Sequence, residues 1–423
     1  MGRKENNLNF TSDFRVMINN LILNSLGFFF LDFILYYFTS EILNASGLEV
    51  GFIFTLHIIG NLISSTFTGF ITDIAKSKKR LVLLGSIGRG IAYFILYIAL
   101  FFADLIGIYI GYFFLGFFVG FFWVPFNTLI AQKSRKDVRS QAFGKKEAAL
   151  GKGLMIGAIL GFVIFNTAIG FTQNPLVIYL AIPIYGIVNF YAGIRFNRIV
   201  DENLIISAPT NENNSDNNLK TEIPKIMILG FILISIVLFL ASLNASLSRP
   251  FLNKYLLEVV TNNPLFASLA YIPAGTISML LAPKLGKMLD RIKPELGISL
   301  ASVLGALVTW FLINTQDLIT FSILLTLDVA IAQTANLVVQ NILSRITLKH
   351  RGKIFSAFQF FMSIGSILGP ILGGLAWDFI GIRAPFLISI IVELCLIPFY
   401  ILAVLMIKPY LKEAYYDVIK KSK

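Results

Sequence analysis

The sequence predicts an all-α membrane protein: twelve transmembrane helices arranged as two pseudo-symmetric six-helix bundles. Three observations carry that prediction. Of 423 residues, 56% are hydrophobic and 14% charged, with a mean hydropathy of +0.78, whereas a soluble domain carries about 25% charged residues. The apolar residues are gathered into runs of the ~20 residues needed to cross ~30 Å of hydrocarbon as helix. Finally, residues 32–73 recur at 249–290 without a gap, so that Gly69-Phe-Ile-Thr-Asp73 falls on Gly286-Lys-Met-Leu-Asp290 and Glu41 on Glu258. A second register lays Arg139, Phe143, Gly153, Gly157 and Gly161 on Arg351, Phe355, Gly365, Gly369 and Gly373. The same punctuation in the same order marks an internal duplication.

The first bundle is expected over 1–196, with runs at roughly 16–43, 49–72, 81–103, 105–131, 147–171 and 175–196. The second is expected over 226–408, with runs at 226–258, 264–286, 297–315, 317–343, 354–377 and 384–408. Runs this long and continuous are helices rather than barrel strands, because a backbone in lipid has to satisfy its own hydrogen bonds. Between the bundles the polar stretch 197–225, containing Asn211-Glu-Asn-Asn-Ser-Asp-Asn-Asn218, reads as a flexible linker. The tail, 409–423, alternates apolar and basic residues as a short interfacial helix would. The first run is too long for a cleavable signal, and no small-residue cleavage site follows it.

Charge placement sets the orientation. A net charge of +12 could suggest nucleic acid, but the basic residues sit in short loops between apolar runs, not on an aromatic–basic face. Putting the N-terminus, the even-to-odd loops and the C-terminus on one side collects all but five of the 35 lysines and arginines. The exceptions are Arg249, Lys254 and Arg383 opposite, with Arg89 and Lys152 inside helices. Basic loops stay inside the cell, so both termini are expected in the cytoplasm and the protein in the cell membrane. The single cysteine, Cys395, excludes an intramolecular disulfide.

Gly69 and Asp73 close an apolar run ahead of Lys76, Lys78, Lys79 and Arg80; Gly286 and Asp290 do the same ahead of Arg291 and Lys293. This repeated Gly-x-x-x-Asp turn with trailing basic residues resembles the signature of the major facilitator superfamily. The six-plus-six helix count and the polar central linker extend the resemblance over nearly the whole chain. The loops depart from the family pattern in detail: the first lacks its second glycine, and the second, Asp290-Arg291-Ile-Lys-Pro294, keeps little beyond the arginine. The resemblance implies two bundles rocking about a midplane site. It also implies a conformational latch formed by Gly69, Asp73, Lys78, Arg80, Gly286, Asp290 and Arg291. Physically, the glycine permits close helix approach, the aspartate can meet a neighbouring helix N-terminus, and the basic turn can anchor to anionic lipid headgroups. A plainer role in fixing topology is the alternative. Gly153, Gly157 and Gly161, and Gly365, Gly369-Pro370 and Gly373, form small-residue stripes expected to pack helices.

Charges inside the bilayer are the sharper functional signal, since each costs ~2.5–3.5 kcal/mol on insertion scales. Asp32 lies past the middle of the first helix and Asp328 near the middle of the tenth. In the resembled fold these helices line the central cavity, so both are candidates to carry a proton or bind substrate. The repeat lays Arg249 on Asp32; a structural Asp32–Arg249 pair is the competing reading. Asn24, Gln333 and Asn336 are candidate substrate hydrogen-bonding groups. Arg89 is expected to snorkel or to meet Asp73, Glu393 to pack or to meet Arg383, and His57 to be a satisfied polar residue. Phe117, Phe118, Phe121, Phe122 and Trp123 suggest aromatic walls.

No phosphate-binding Gly-x-x-x-x-Gly-Lys-Ser/Thr loop is present, so ATP is not the expected energy source. Two histidines and one cysteine make no clustered metal site, and no catalytic constellation is found. No cofactor is expected; the coupling ion would be a proton. The reading is a secondary active transporter, monomeric, contacting a small-molecule substrate and membrane lipids but no nucleic acid. Proton-coupled efflux of small amphipathic compounds leads. A proton-coupled importer or facilitator of organic anions, and a non-transporting membrane sensor or scaffold, are the alternatives.

Overall fold

The computed structural model describes residues 9–75, 77–135, 139–206, 225–263, 266, 267, 269–271, 273, 274, 294–345 and 351–407. Nine helices among them are long and apolar enough to cross a membrane, and a shorter apolar helix covers Leu296–Leu312. Contacts divide the chain into two units: Met1–Leu43 with Leu56–Leu219, and Asn44–Thr55 with Lys220–Lys423.

In the first unit the expected helix over 16–43 is interrupted. It runs as α1 (Phe14–Asn24) and α2 (Phe28–Tyr37), then a π-helical turn at Phe38–Ile42. The break is set by Gly27, whose φ of +91° is left-handed backbone that side chains with a Cβ avoid. Glycine is common inside membrane helices, so Gly27 alone gave the sequence reading no reason to divide the run. There follow α3 (Gly47–Ile74), whose residues up to Thr55 belong to the second unit, α4 (Lys78–Phe102), α5 (Leu105–Gln132), α6 (Arg139–Phe171), α7 (Pro175–Ile178) and α8 (Ala181–Ile199). Within the unit α4 packs on α5 and α8, and α6 packs on α1 and α2.

The second unit contains α9 (Lys225–Tyr255), with a π-helical turn at Leu256–Val260, then α10 (Pro294–Leu312), α11 (Leu318–Arg345), α12 (Arg351–Phe379) and α13 (Ala384–Ile407). α9 lies against α12 and α13, and α10 against α11 and α13. The π-helical turns of the two units carry Glu41 and Glu258, the residues the repeat overlays. The pseudo-symmetry is nonetheless imperfect: α9 is continuous where the first unit is broken.

The glycine stripes meet these two helices accordingly. A Cβ on Gly153 would meet the Ile22 carbonyl oxygen at 2.5 Å, one on Gly157 the Gly27 nitrogen at 2.6 Å, and one on Gly161 the Phe30 ring at 2.5 Å. The α6 stripe is therefore a cradle for α1, its break and α2 in turn. On α12, Cβ atoms at Gly365, Gly369 and Gly373 would meet the α9 carbonyls Phe239, Leu243 and Leu247, all on one unbroken helix. The sequence left unremarked a third glycine crossing, where a Cβ on Gly60 would lie 2.4 Å from the Phe113 carbonyl oxygen and one on Gly116 2.0 Å from that of His57.

The segment expected to begin a flexible linker is partly structured. α8 continues to Ile199, and the Ile206 amide donates to the Gln132 carbonyl at 3.0 Å. Glu202 accepts from Ser77 Oγ at 2.6 Å and from the Lys78 and Lys79 amides, capping the start of α4. Carboxylate capping of free N–H groups is the physical reason a polar segment settles there. Lys133, 1% exposed, donates to Asp13 at 2.7 Å and to the carbonyls of Asp201 and Leu204.

Burial pushes the Asp13 carboxyl up. Hydrogen bonds from Lys133, Thr11 and the Asp201 amide, with the Lys133 charge, nonetheless bring it below the usual carboxylate value. Because the folded value is depressed, its stabilisation is present above the unfolded value of about 3.9 and is lost as pH falls through the folded value. Lys133→Ala is expected to cost about 1.5–3 kcal/mol by removing the charged donor from Asp13, which keeps its bonds from Thr11 and the Asp201 amide. It should also flatten the acid limb of a melting-temperature profile. A Lys133→Ala profile that parallels the parent at every pH would refute this account of the network.

Candidate functional site

Asp32 is on α2 and is half-buried. Its Oδ1 accepts the Tyr112 hydroxyl of α5 at 2.6 Å, and the Tyr112 ring lies 4.7 Å from the His57 imidazole of α3. A carboxylate, a phenol and an imidazole, from three helices of one unit, thus stand in sequence. The sequence suggests a satisfied polar residue at His57 and assigns no role to Tyr112. The available signal was two tyrosines, Tyr109 and Tyr112, in a phenylalanine-rich helix, since a buried hydroxyl finds a partner.

Arg89 does not snorkel and its observed partner is not Asp73, whose side chain lies outside the described residues. It is fully buried, and its Nη2 donates to Asn24 Oδ1 at 2.7 Å. The guanidinium carbon lies 4.2 Å from the Phe122 ring centre and 5.3 Å from that of Phe28. Packing stops snorkelling here: Asn24 of α1, Phe28 of α2 and Phe122 of α5 lie against the guanidinium. Asn24, proposed for substrate, is also fully buried and accepts a second bond, from Ser86 Oγ at 3.0 Å. Phe122 belongs to this packing, while Phe118 lies against Gly88 of α4.

In the second unit Asp328 accepts from Thr309 Oγ1 of α10 at 3.2 Å. A Cβ on Gly305, one turn before Thr309, would lie 2.7 Å from Glu393 Oε1. Asp328 and Glu393 therefore meet the same face of α10. Arg383, the expected partner of Glu393, instead donates to Asn314 Oδ1 at 3.4 Å. The Gly305/Thr309 spacing could have signalled this, because residues four apart share a helix face. Arg249 is exposed on α9 beside the helix-internal Pro250, and Gln333 is half-buried on α11. The Asn336 side chain and the residues Gly286, Asp290 and Arg291 lie outside the described residues.

Of the remaining latch candidates, Gly69 has no described atom within 4 Å of where a Cβ would stand. The Lys78 amide is held by Glu202, and Arg80 is exposed. A tighter contact occurs within the second unit, at the opposite end of α3. Asp378 of α12 accepts from the Gly47 and Leu48 amides at 2.7 and 2.9 Å. A Cβ on Gly51 would lie 2.2 Å from the Pro370 carbonyl oxygen, and Thr55 Oγ1 donates to Ile367.

Two stretches, residues 18–313 and 234–415, match the family model described as Major Facilitator Superfamily. The chain belongs to that superfamily. It is a multi-pass membrane transporter with the superfamily's fold. Among relatives, it is 26% identical over 353 residues to the multidrug resistance protein MdtG of Yersinia enterocolitica, covering 81% of this chain and 80% of the relative. It is 24% identical over 359 residues to multidrug resistance protein 2 of Bacillus subtilis, covering 82% and 84%. The fold is similar to that of a bacterial homologue of the human lysosomal transporter Spinster, with a TM-score of 0.71, 14% identity and coverage of 95% and 97%. It is also similar to the nucleoside transporter NupG, with a TM-score of 0.69, 13% identity and coverage of 92% and 99%.

Proposed function

We propose that this superfamily member is a proton-coupled exporter of small amphipathic compounds, working as a single chain in the cell membrane with both termini in the cytoplasm. The observation that carries the coupling is the 2.6 Å bond from the Tyr112 hydroxyl to Asp32. A carboxylate on a membrane helix, held by a phenol donor, can take either a proton or the cationic end of a substrate. Competition for that one group is what exchange requires. The names of the multidrug resistance relatives support the outward direction, and the basic loops support the orientation.

The test is substrate-induced proton release from the purified protein, screening lipophilic cations, organic acids and sugars. Release on binding is expected, and it should vanish in Asp32→Asn. Binding that releases no proton from the parent protein would sink the exchange mechanism. An importer or facilitator of organic anions is the second reading, favoured by the exposed Arg249 on α9. There Arg249→Ala would abolish binding of organic acids while Asp32→Asn left it intact.

A further inference from the structure

We propose that Arg89 and Asn24 form a buried binding site for a monovalent anionic group, inside the first unit at the break between α1 and α2. The proposal goes beyond the exchange mechanism and does not depend on Asp32 carrying a proton.

Arg89 is enclosed completely and makes one hydrogen bond, to the neutral amide of Asn24. Among the described residues its Nε and Nη1 have no partner, and neither does Asn24 Nδ2, also buried. All three are donor atoms, and the two side chains that bear them already touch. Phe28 and Phe122 bind the guanidinium through its π-system, which leaves the in-plane N–H groups to find acceptors.

The break itself does not supply those acceptors. The Leu21 carbonyl takes Ser25 Oγ, that of Ile22 the Ser25 amide, that of Leu23 the Leu26 amide, and that of Gly27 the Leu31 amide. α2 moreover begins at Phe28, the ring beside Arg89, with Gly27 as its N-cap. A helix N-terminus adds positive potential to the same place. Asp32, one turn further along α2, receives the Tyr112 hydroxyl.

A cation wholly enclosed in a membrane protein calls for a counter-charge as well as hydrogen-bond acceptors. Water supplies only the second; an anion supplies both. A halide or a carboxylate carries the matching single charge. The flanking phenylalanine rings suit the apolar part of an amphipathic carboxylate.

The experiment is thermal stability of the purified full-length protein at constant ionic strength, exchanging gluconate for chloride in one arm and for benzoate in the other. A concentration-dependent rise in melting temperature is expected in at least one arm, and it should be lost in Arg89→Gln. A response to chloride identifies an inorganic counter-ion; a response to benzoate alone identifies an organic carboxylate. Asn24→Asp, which places a carboxylate against Arg89, should raise the melting temperature in gluconate and abolish the anion response. This arm remains decisive if Arg89→Gln does not fold. No response in the parent protein, or an undiminished response in Arg89→Gln or Asn24→Asp, would overturn the proposal.

Discussion

Replacing Asp32 by asparagine is expected to collapse proton-driven substrate gradients from about tenfold per pH unit to unity, one pH unit being worth about 1.4 kcal/mol to a one-for-one exchanger. Downhill exchange should persist only for substrates that carry no cationic group. Asparagine keeps an oxygen that can accept the Tyr112 hydroxyl, so the α2–α5 contact survives while the titrating group is gone. Tyr112→Phe makes the complementary change, leaving the carboxylate and removing its donor. A hydrogen bond to a charged group contributes about 1.5–3 kcal/mol. Transport by Tyr112→Phe should therefore fall roughly tenfold or more, at about 1.4 kcal/mol per factor of ten. Both variants are to be measured in liposomes with an imposed pH gradient. Uphill transport by Asp32→Asn at the parent level would remove Asp32 from the coupling mechanism.

Asp378→Ala should free the start of α3 from α12. Two amides, those of Gly47 and Leu48, lose their carboxylate, and loss of an N-terminal cap costs about 1–2 kcal/mol. A population shift of that size raises the form in which the start of α3 has left α12 by about five- to thirtyfold. Gly51→Leu should act more strongly, because even its Cβ would lie 2.2 Å from the Pro370 carbonyl oxygen, and backbone cannot rotate out of the way as a side chain can. The readout is maleimide labelling of Thr55→Cys, with Cys395 replaced by serine. Faster labelling in both variants is expected, with transport most impaired in Gly51→Leu. Unchanged labelling in Gly51→Leu would mean that this contact does not control access to Thr55.

Much of the architecture was legible because its causes are local and repeated. Apolar runs of membrane length are helices wherever they occur in lipid, and the glycine stripes marked close crossings before any partner was known. The break at Gly27 was not legible. Its left-handed backbone is sustained by packing against Tyr185 and Gly157, residues more than a hundred positions away. The linker was read as flexible from composition, yet Glu202 found the free amides at the start of α4.

The candidate site divides in the same way. That Asp32 and Asp328 are functionally suspect, and that Arg89 needs a structural accommodation, follows from the cost of charge in a membrane, which needs no structure. What each one touches was decided only by folding. Asp32 received a tyrosine from α5, Asp328 a threonine from α10, and Arg89 an asparagine and two rings where an aspartate had been expected.

The sequence by itself determined the transmembrane architecture, the duplication and the superfamily, because chain-local hydrophobicity and short spaced motifs suffice for each. The tertiary structure alone decided the partners of the buried charges and the interruption of the first helix. Those depend on which side chains from distant segments fill the few positions within hydrogen-bond reach, and no local pattern encodes that.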